Sequence, residues 1–111
     1  MEVTHTPFKH CDLISASGRV DSFTAPQLGD AMDKITNAGR YKIVFDMQDV
    51  EFMSSAGLRV LISVQKLCKR YNRGEIVLAN VPQRIYEALE LAGFVPLFKF
   101  FDNITAAVGN F

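Results

Sequence analysis

Two short apolar runs, Lys42-Ile43-Val44-Phe45-Asp46-Met47 and Glu75-Ile76-Val77-Leu78-Ala79-Asn80, stand on either side of one long amphipathic stretch. Continuous apolar runs of this length, with polar ends, are the pattern of strands covered on both faces. Between them, Leu58, Leu61, Val64, Cys68 and Tyr71 recur at three- and four-residue steps, while Arg59, Ser63, Lys66, Lys69, Arg70 and Arg73 fall mostly elsewhere. That period predicts a helix from Ser55 to Tyr71, opened at the Ser54-Ser55 pair and stopped at Asn72-Arg73-Gly74. Its basic last turns suit the negative end of the helix dipole. Strand, helix and parallel strand make one right-handed crossover, which commits the chain to a layered α/β fold.

The flanking segments extend that unit. Asp12 to Ser17 reads as a strand closed by Gly18-Arg19-Val20-Asp21. Thr24-Ala25-Pro26-Gln27 fits a capping box, followed by a helix that buries Leu28, Ala31, Met32 and Ile35 and ends at Asn37-Ala38-Gly39. Pro82 opens a third helix lined by Ile85, Leu89 and Ala92 up to Gly93, and Leu97 to Phe101 reads as a short edge strand. Asp102-Asn103 caps a last helix through Val108, and Val3 to Phe8 forms a first strand weakened by Pro7. The order is β-β-α-β-α-β-α-β-α: a small mixed, mainly parallel sheet packed with about four helices. With 111 residues and no linker or repeat, residues 1–111 are expected to form a single domain.

Charge and composition remove several functions. Twelve Lys+Arg balance twelve Asp+Glu, so no global field gathers nucleic acid or an anionic membrane. No apolar run nears the ~20 residues of a membrane span, and the first residues lack the basic-then-apolar order of a signal peptide, which points to a cytoplasmic protein. Cys11 and Cys68 form no CxxC and no zinc-ligand spacing, and no Gly-Lys-Ser/Thr phosphate loop occurs. No cofactor and no metal are expected; Asp46, Asp49 and Glu51 read as solvated charges flanking a strand end. Arg59, Lys66, Lys69, Arg70 and Arg73 lack interleaved aromatic residues, so they read as a solvated helix face or a surface for an acidic partner rather than for nucleic acid. Five of the nine Phe follow residue 93, and alternation cannot place Phe98, Phe100 and Phe101 on one face. The remaining aromatic surface calls for a covering helix or a second subunit, which leaves a homo-oligomer open.

The stretch that carries chemistry is Val50-Glu51-Phe52-Met53-Ser54-Ser55-Ala56-Gly57-Leu58. It leads from the carboxyl side of a buried strand into the longest helix, where open α/β sheets place their ligands. Either serine could simply accept from a free amide of the first turn. Small Ala56 and Gly57 also leave the helix start open to an approaching group. A phosphate there would add about −1.5 to −2 charges beside the positive end of the helix dipole, so the fold would tolerate it and a packed partner would not.

The run Val50-x-Phe52-Met53-Ser54-Ser55-Ala56-Gly57-Leu58-Arg59-Val60-Leu61 resembles the signature of the STAS domain, in particular of bacterial anti-sigma factor antagonists. Gly18-Arg19-Val20-Asp21 and Leu91-x-Gly93-Phe94-x-x-Leu97-Phe98 extend the resemblance from about Asp12 to Val108. It implies partner switching in transcription regulation. The unphosphorylated protein binds an anti-sigma factor that is also a serine kinase, freeing a sigma factor. The kinase modifies the serine two residues before the motif glycine, here Ser55, and a PP2C-type phosphatase reverses it. The resemblance places Asp21, Met53, Ser54, Ser55, Gly57, Leu58 and Arg59 at the partner surface and implies no catalytic residue. Many antagonists carry Asp where this chain has Ser54, which removes a charge and adds a second acceptor or cap. Two other readings remain at this stage. One is an unphosphorylated STAS scaffold subunit of a larger signalling assembly. The other is a small serine hydrolase using His5 or His10, although the leading glycine of a Gly-x-Ser-x-Gly elbow is missing.

Overall fold

The computed structural model describes residues 1–70 and 74–111. Strands β1 (Glu2–Pro7), β2 (Asp12–Val20), β3 (Lys42–Met53), β4 (Glu75–Ala79) and β5 (Lys99–Phe101) form one sheet in the order β1-β2-β3-β4-β5. Only β1 runs antiparallel to its neighbour; the other pairings are parallel. The connecting helices are α1 (Ala25–Asn37), α2 (Ser55–Arg70) and α3 (Gln83–Leu91), with a 3-10 turn at Val95–Leu97 and a last helix α4 (Ile104–Gly109). This is the mixed α/β architecture expected from the sequence. The predicted end of α2 at Tyr71 and its stop at Asn72-Arg73 lie outside the described residues.

One sheet face and the buried stripes of α1, α2 and α3 share a core built on Ile14, Phe45, Met47, Leu28, Met32 and Leu61. The opposite face is covered over β3 and β4 by α4, where Val44, Val77 and Ala79 meet Ala107, with Phe101 and Phe111 packed around them. The late phenylalanines therefore divide between two layers. Phe98 is buried with Phe94 and Phe100 against the main core, and Tyr86 meets Phe100 edge-on at 5.2 Å between ring centroids.

Three strand boundaries and one helix cap differ from the expectation. β3 continues to Met53 rather than ending at Met47. Ser15 and Ser17 of β2 pair with Asp46 and Asp49 of β3, and Gly18 and Arg19 pair with Val50 and Phe52, so β3 carries one extra residue at each step. These bulges put Met47, Val50 and Met53 in the core at three-residue intervals, which hides the two-residue period of a strand. β2 runs through Gly18 because glycine accepts the left-handed φ of +91° there. β5 begins at Lys99, since Pro96 belongs to the 3-10 turn. The capping box at Thr24 is not formed: Thr24 is the N-cap residue, but its hydroxyl turns back to donate to the Arg19 carbonyl (2.8 Å) and accept from the Asp21 amide (2.9 Å). At the other end Asn103 caps α4 as expected, accepting from the Ala106 amide at 2.7 Å.

Two polar side chains inside the fold hold strands in place. Asp12, buried, accepts from Arg40 Nε and lies 2.7 Å from His5 Nε2, while Arg40 Nη2 donates to the carbonyls of Phe8 (2.7 Å) and Cys11 (3.1 Å). This fastens the β1–β2 turn to the end of α1. Gln65 on α2 does the equivalent for β4. Its Oε1 accepts from the Ile76 amide at 2.6 Å, and its Nε2 donates to the Leu97 carbonyl (2.7 Å) and the Ile76 carbonyl (3.2 Å). β5 reaches only to Val77, so the glutamine amide stands in for the missing strand beside Ile76.

Gln65→Leu preserves approximate shape but strands a buried backbone amide, which costs roughly 1–3 kcal/mol. Urea unfolding is expected to show a loss of about 2 kcal/mol with an unchanged slope.

Candidate functional site

At the carboxyl edge of the sheet, a single residue separates β3 from α2. Ser54 donates its amide to the Val20 carbonyl at 2.8 Å and accepts through its own carbonyl from the Leu58 amide at 3.1 Å. It thus occupies the N-cap position through its backbone. Its hydroxyl does not complete the cap, being buried without a hydrogen-bond partner among the described residues. Ser55, the first residue of α2, is exposed. The two serines share a turn and differ in access.

Gly57 explains how closely this turn sits on the sheet. A β-carbon there would lie 2.8 Å from Val20 Cγ1 and 3.0 Å from Met53 Cγ, closer than side-chain carbons pack. Met53, Gly57 and Leu58 are buried and shape the site from beneath, whereas Ser55 and Arg59 are at the surface and Asp21, next after Val20, is half-buried.

The loop after β2 forms the neighbouring wall. Asp21 Oδ1 accepts from the amides of Phe23 (3.0 Å) and Thr24 (3.1 Å), making a tight Asx turn ahead of α1. These bonds, the Thr24 amide foremost, hold the Asp21 carboxyl below its ordinary range against the opposing effect of burial. The turn leaves the Phe23 ring 92% exposed. Across the strand pair, the Arg19 guanidinium lies 4.3 Å from the centre of the Phe52 ring. Phe23 and the Arg19–Phe52 stack are parts of this surface that motif reading missed. The signal for Phe23 was a large apolar residue inside a polar turn; the signal for the stack was hidden, because the bulge in β3 decides which residue faces Arg19.

The other candidate residues do not converge here. His5 is bonded to Asp12 at the amino side of β2, and the serine turn follows Val20 at its other end, roughly 25 Å away at ~3.3 Å per residue. Asp46 is structural, accepting from Ser15 Oγ (3.2 Å), the Gln48 amide (3.2 Å) and Asn80 Nδ2 (3.0 Å), while Asp49 and Glu51 face solvent. Arg59, Lys66, Lys69 and Arg70 are exposed along α2, and Arg73 lies outside the described residues. Both cysteines are buried; burial pushes the Cys68 thiol up to about 11 and also raises Cys11. No described helix is long and apolar enough to cross a membrane.

The site is thus an exposed serine at the strand-to-helix turn of a layered α/β module. The chain belongs to the STAS domain family, whose pattern matches residues 8–107. BtrV of Bordetella bronchiseptica is 32% identical over 94 residues, covering 85% of this chain and 80% of that protein. The anti-sigma-B factor antagonist of Listeria monocytogenes is 27% identical over 93 residues, covering 84% and 80%. The fold is shared with the Bacillus cell fate determinant SpoIIAA, solved in its phosphorylated form, with a TM-score of 0.76 at 14% identity and 98% of each chain covered.

Gly57→Ala is expected to destabilise by about 1–2 kcal/mol in urea unfolding, because overpacking against Val20 outweighs the gain in helix propensity. Gly57→Val is expected to lose more. A second measurement concerns Asp21. Its carboxyl is lowered by folding from an ordinary value of 3.8, so its contribution is present above that value and is lost as pH falls through the folded one. The stability gap between wild type and Asp21→Ala should therefore be constant near neutrality and shrink under acid.

Proposed function

We propose that this protein is an anti-sigma factor antagonist, acting as a single STAS unit over residues 1–111. In this reading it binds a serine-kinase anti-sigma factor while unphosphorylated and is released from it by phosphorylation of Ser55, with a PP2C-type phosphatase restoring the binding form. The observation that carries the reading is the difference between two adjacent hydroxyls: Ser55 is exposed at the first residue of α2, and Ser54 Oγ is buried. A kinase can reach the first without moving the turn. In the transfer, Ser55 Oγ takes the terminal phosphoryl group of ATP, its proton passes to a base of the kinase, and ADP leaves.

The fold supports the product. The first turn of α2 carries no acidic residue, so a phosphate on Ser55 meets the positive end of the helix dipole without a competing anion. The complex has the opposite response. Exposed Phe23, in the loop after β2, and part-exposed Phe52, near the end of β3, offer a partner apolar contacts, and a phosphate carrying nearly two charges desolvated among them costs several kcal/mol.

Ser55→Ala is expected to bind the cognate anti-sigma factor and to accept no phosphate when incubated with it and ATP, as read by mass spectrometry. Ser55→Asp should weaken binding about 100-fold in calorimetric titration, equivalent to about 2.8 kcal/mol. Its melting temperature should stay level or rise slightly, since a carboxylate at a helix start is favoured by ~0.3–1 kcal/mol. Phosphate found on Ser54, or equal affinities for wild type, Ser55→Asp and phosphorylated wild type, would remove the switch. Binding without any phosphorylation would favour a scaffold role.

A further inference from the structure

The solvent side of α2 places a cation one turn beyond the serine. Ser55 and Arg59 are both exposed and four residues apart on the same helix. Side chains at that spacing are neighbours, about 5–6 Å between β-carbons, and an anion on the amino side of a cation is the favoured order. The site's other arginine is already engaged: Arg19 lies on the Phe52 ring. Arg59 has no ion pair, hydrogen bond or ring contact among the described residues. Ser54 Oγ makes no cap, and the first turn holds no carboxylate, so nothing negative on α2 competes for Arg59 from that end.

We propose that Arg59 is a positioning residue for the phosphorylated state, folding back along α2 to clamp the phosphate on Ser55. The proposal rests on Ser55 being the modified residue. The guanidinium offers a planar fork of donors that matches two phosphate oxygens, an arrangement a lysine ammonium cannot reproduce. One modification then removes two features from the partner surface together: the serine hydroxyl becomes an anion, and the arginine turns inward onto it. Arg59 thereby ceases to be a free cation for the anti-sigma factor. The phosphate is held against the helix rather than projecting into solvent.

The clamp is measurable without any kinase. Phosphoserine is placed at position 55 during synthesis of the full chain, and its second ionisation, ordinarily near pH 6, is followed by phosphorus NMR. A cation bonded to the doubly charged form lowers that pKa. The value in wild type should lie about 0.3–0.7 of a unit below that in Arg59→Gln, with Arg59→Lys between them. The difference should shrink in ~1 M salt. Lys66→Gln, two further turns along α2, serves as the control for a general field and should leave the value at that of wild type. Identical values in wild type and Arg59→Gln, or an equal shift from Lys66→Gln, would overturn the clamp. Because the phosphate is installed chemically, failure of a kinase to modify Ser55 would sink the switch without affecting this titration, and equal pKa values would sink the clamp while leaving the switch intact.

Discussion

The closeness of α2 to the ends of β2 and β3 governs the rest of the site. With no side chain at Gly57, the first turn of the helix settles directly on Val20 and Met53, and the Ser54 amide comes within 2.8 Å of the Val20 carbonyl. That contact fixes both the height and the rotation of the helix. Once Gly57 and Leu58 face inward, the 3.6-residue period carries Leu61, Val64 and Cys68 into the core. The same rotation leaves Ser55 and Arg59 outside. The exposure of the serine is therefore a consequence of the packing under it, and a change at Gly57 would alter the site without touching a single exposed atom.

Polar groups inside the molecule are used for holding strands in register. Asp12 gathers Arg40 and His5 at the β1–β2 turn, Asp46 ties Ser15 to Asn80 across β2, β3 and β4, and Gln65 completes the hydrogen bonding of Ile76. Each satisfies a buried donor or acceptor that would otherwise be costly. The buried thiols are raised away from reactivity. The proposed function draws instead on the surface at the carboxyl edge of the sheet, where a change of charge would be open to another molecule.

Much of this was legible in the sequence, and the misses share a cause. The helix from Ser55 was visible because five apolar residues keep one period over four turns, and Asn103 was visible because a cap acts within its own turn. The second half of β3 was not, since its two bulges shift the alternation at Gln48 and Glu51 and make Val50 to Met53 resemble a loop. Thr24 was read as a local cap, but Asp21 and the Arg19 carbonyl claim its hydroxyl through a turn whose shape is set by β2. The difference in access between Ser54 and Ser55 has the same character. Both are serines at one turn, and the burial of Ser54 Oγ against the exposure of Ser55 follows from how the turn packs.

The residue before Ser55 also sets the electrostatic starting point. Where many antagonists place a carboxylate, Ser54 supplies an uncharged hydroxyl that faces inward and caps nothing. α2 holds Arg59, Lys66, Lys69 and Arg70 and no acidic residue, so its exposed side is wholly positive, beginning with the dipole at its first turn. A carboxylate in the cap would have neutralised that end in advance, and a phosphate would only have deepened an existing negative charge. Here a phosphate of about −1.5 to −2 charges, as proposed for Ser55, would reverse the local sign. In the proposed switch, a partner whose surface complements the positive turn would lose its attraction and meet repulsion in the same step, while the helix beneath would gain an anion at the end where its dipole favours one. The two responses would differ in direction because the fold would meet the charge at its helix end and a partner would meet it from solvent.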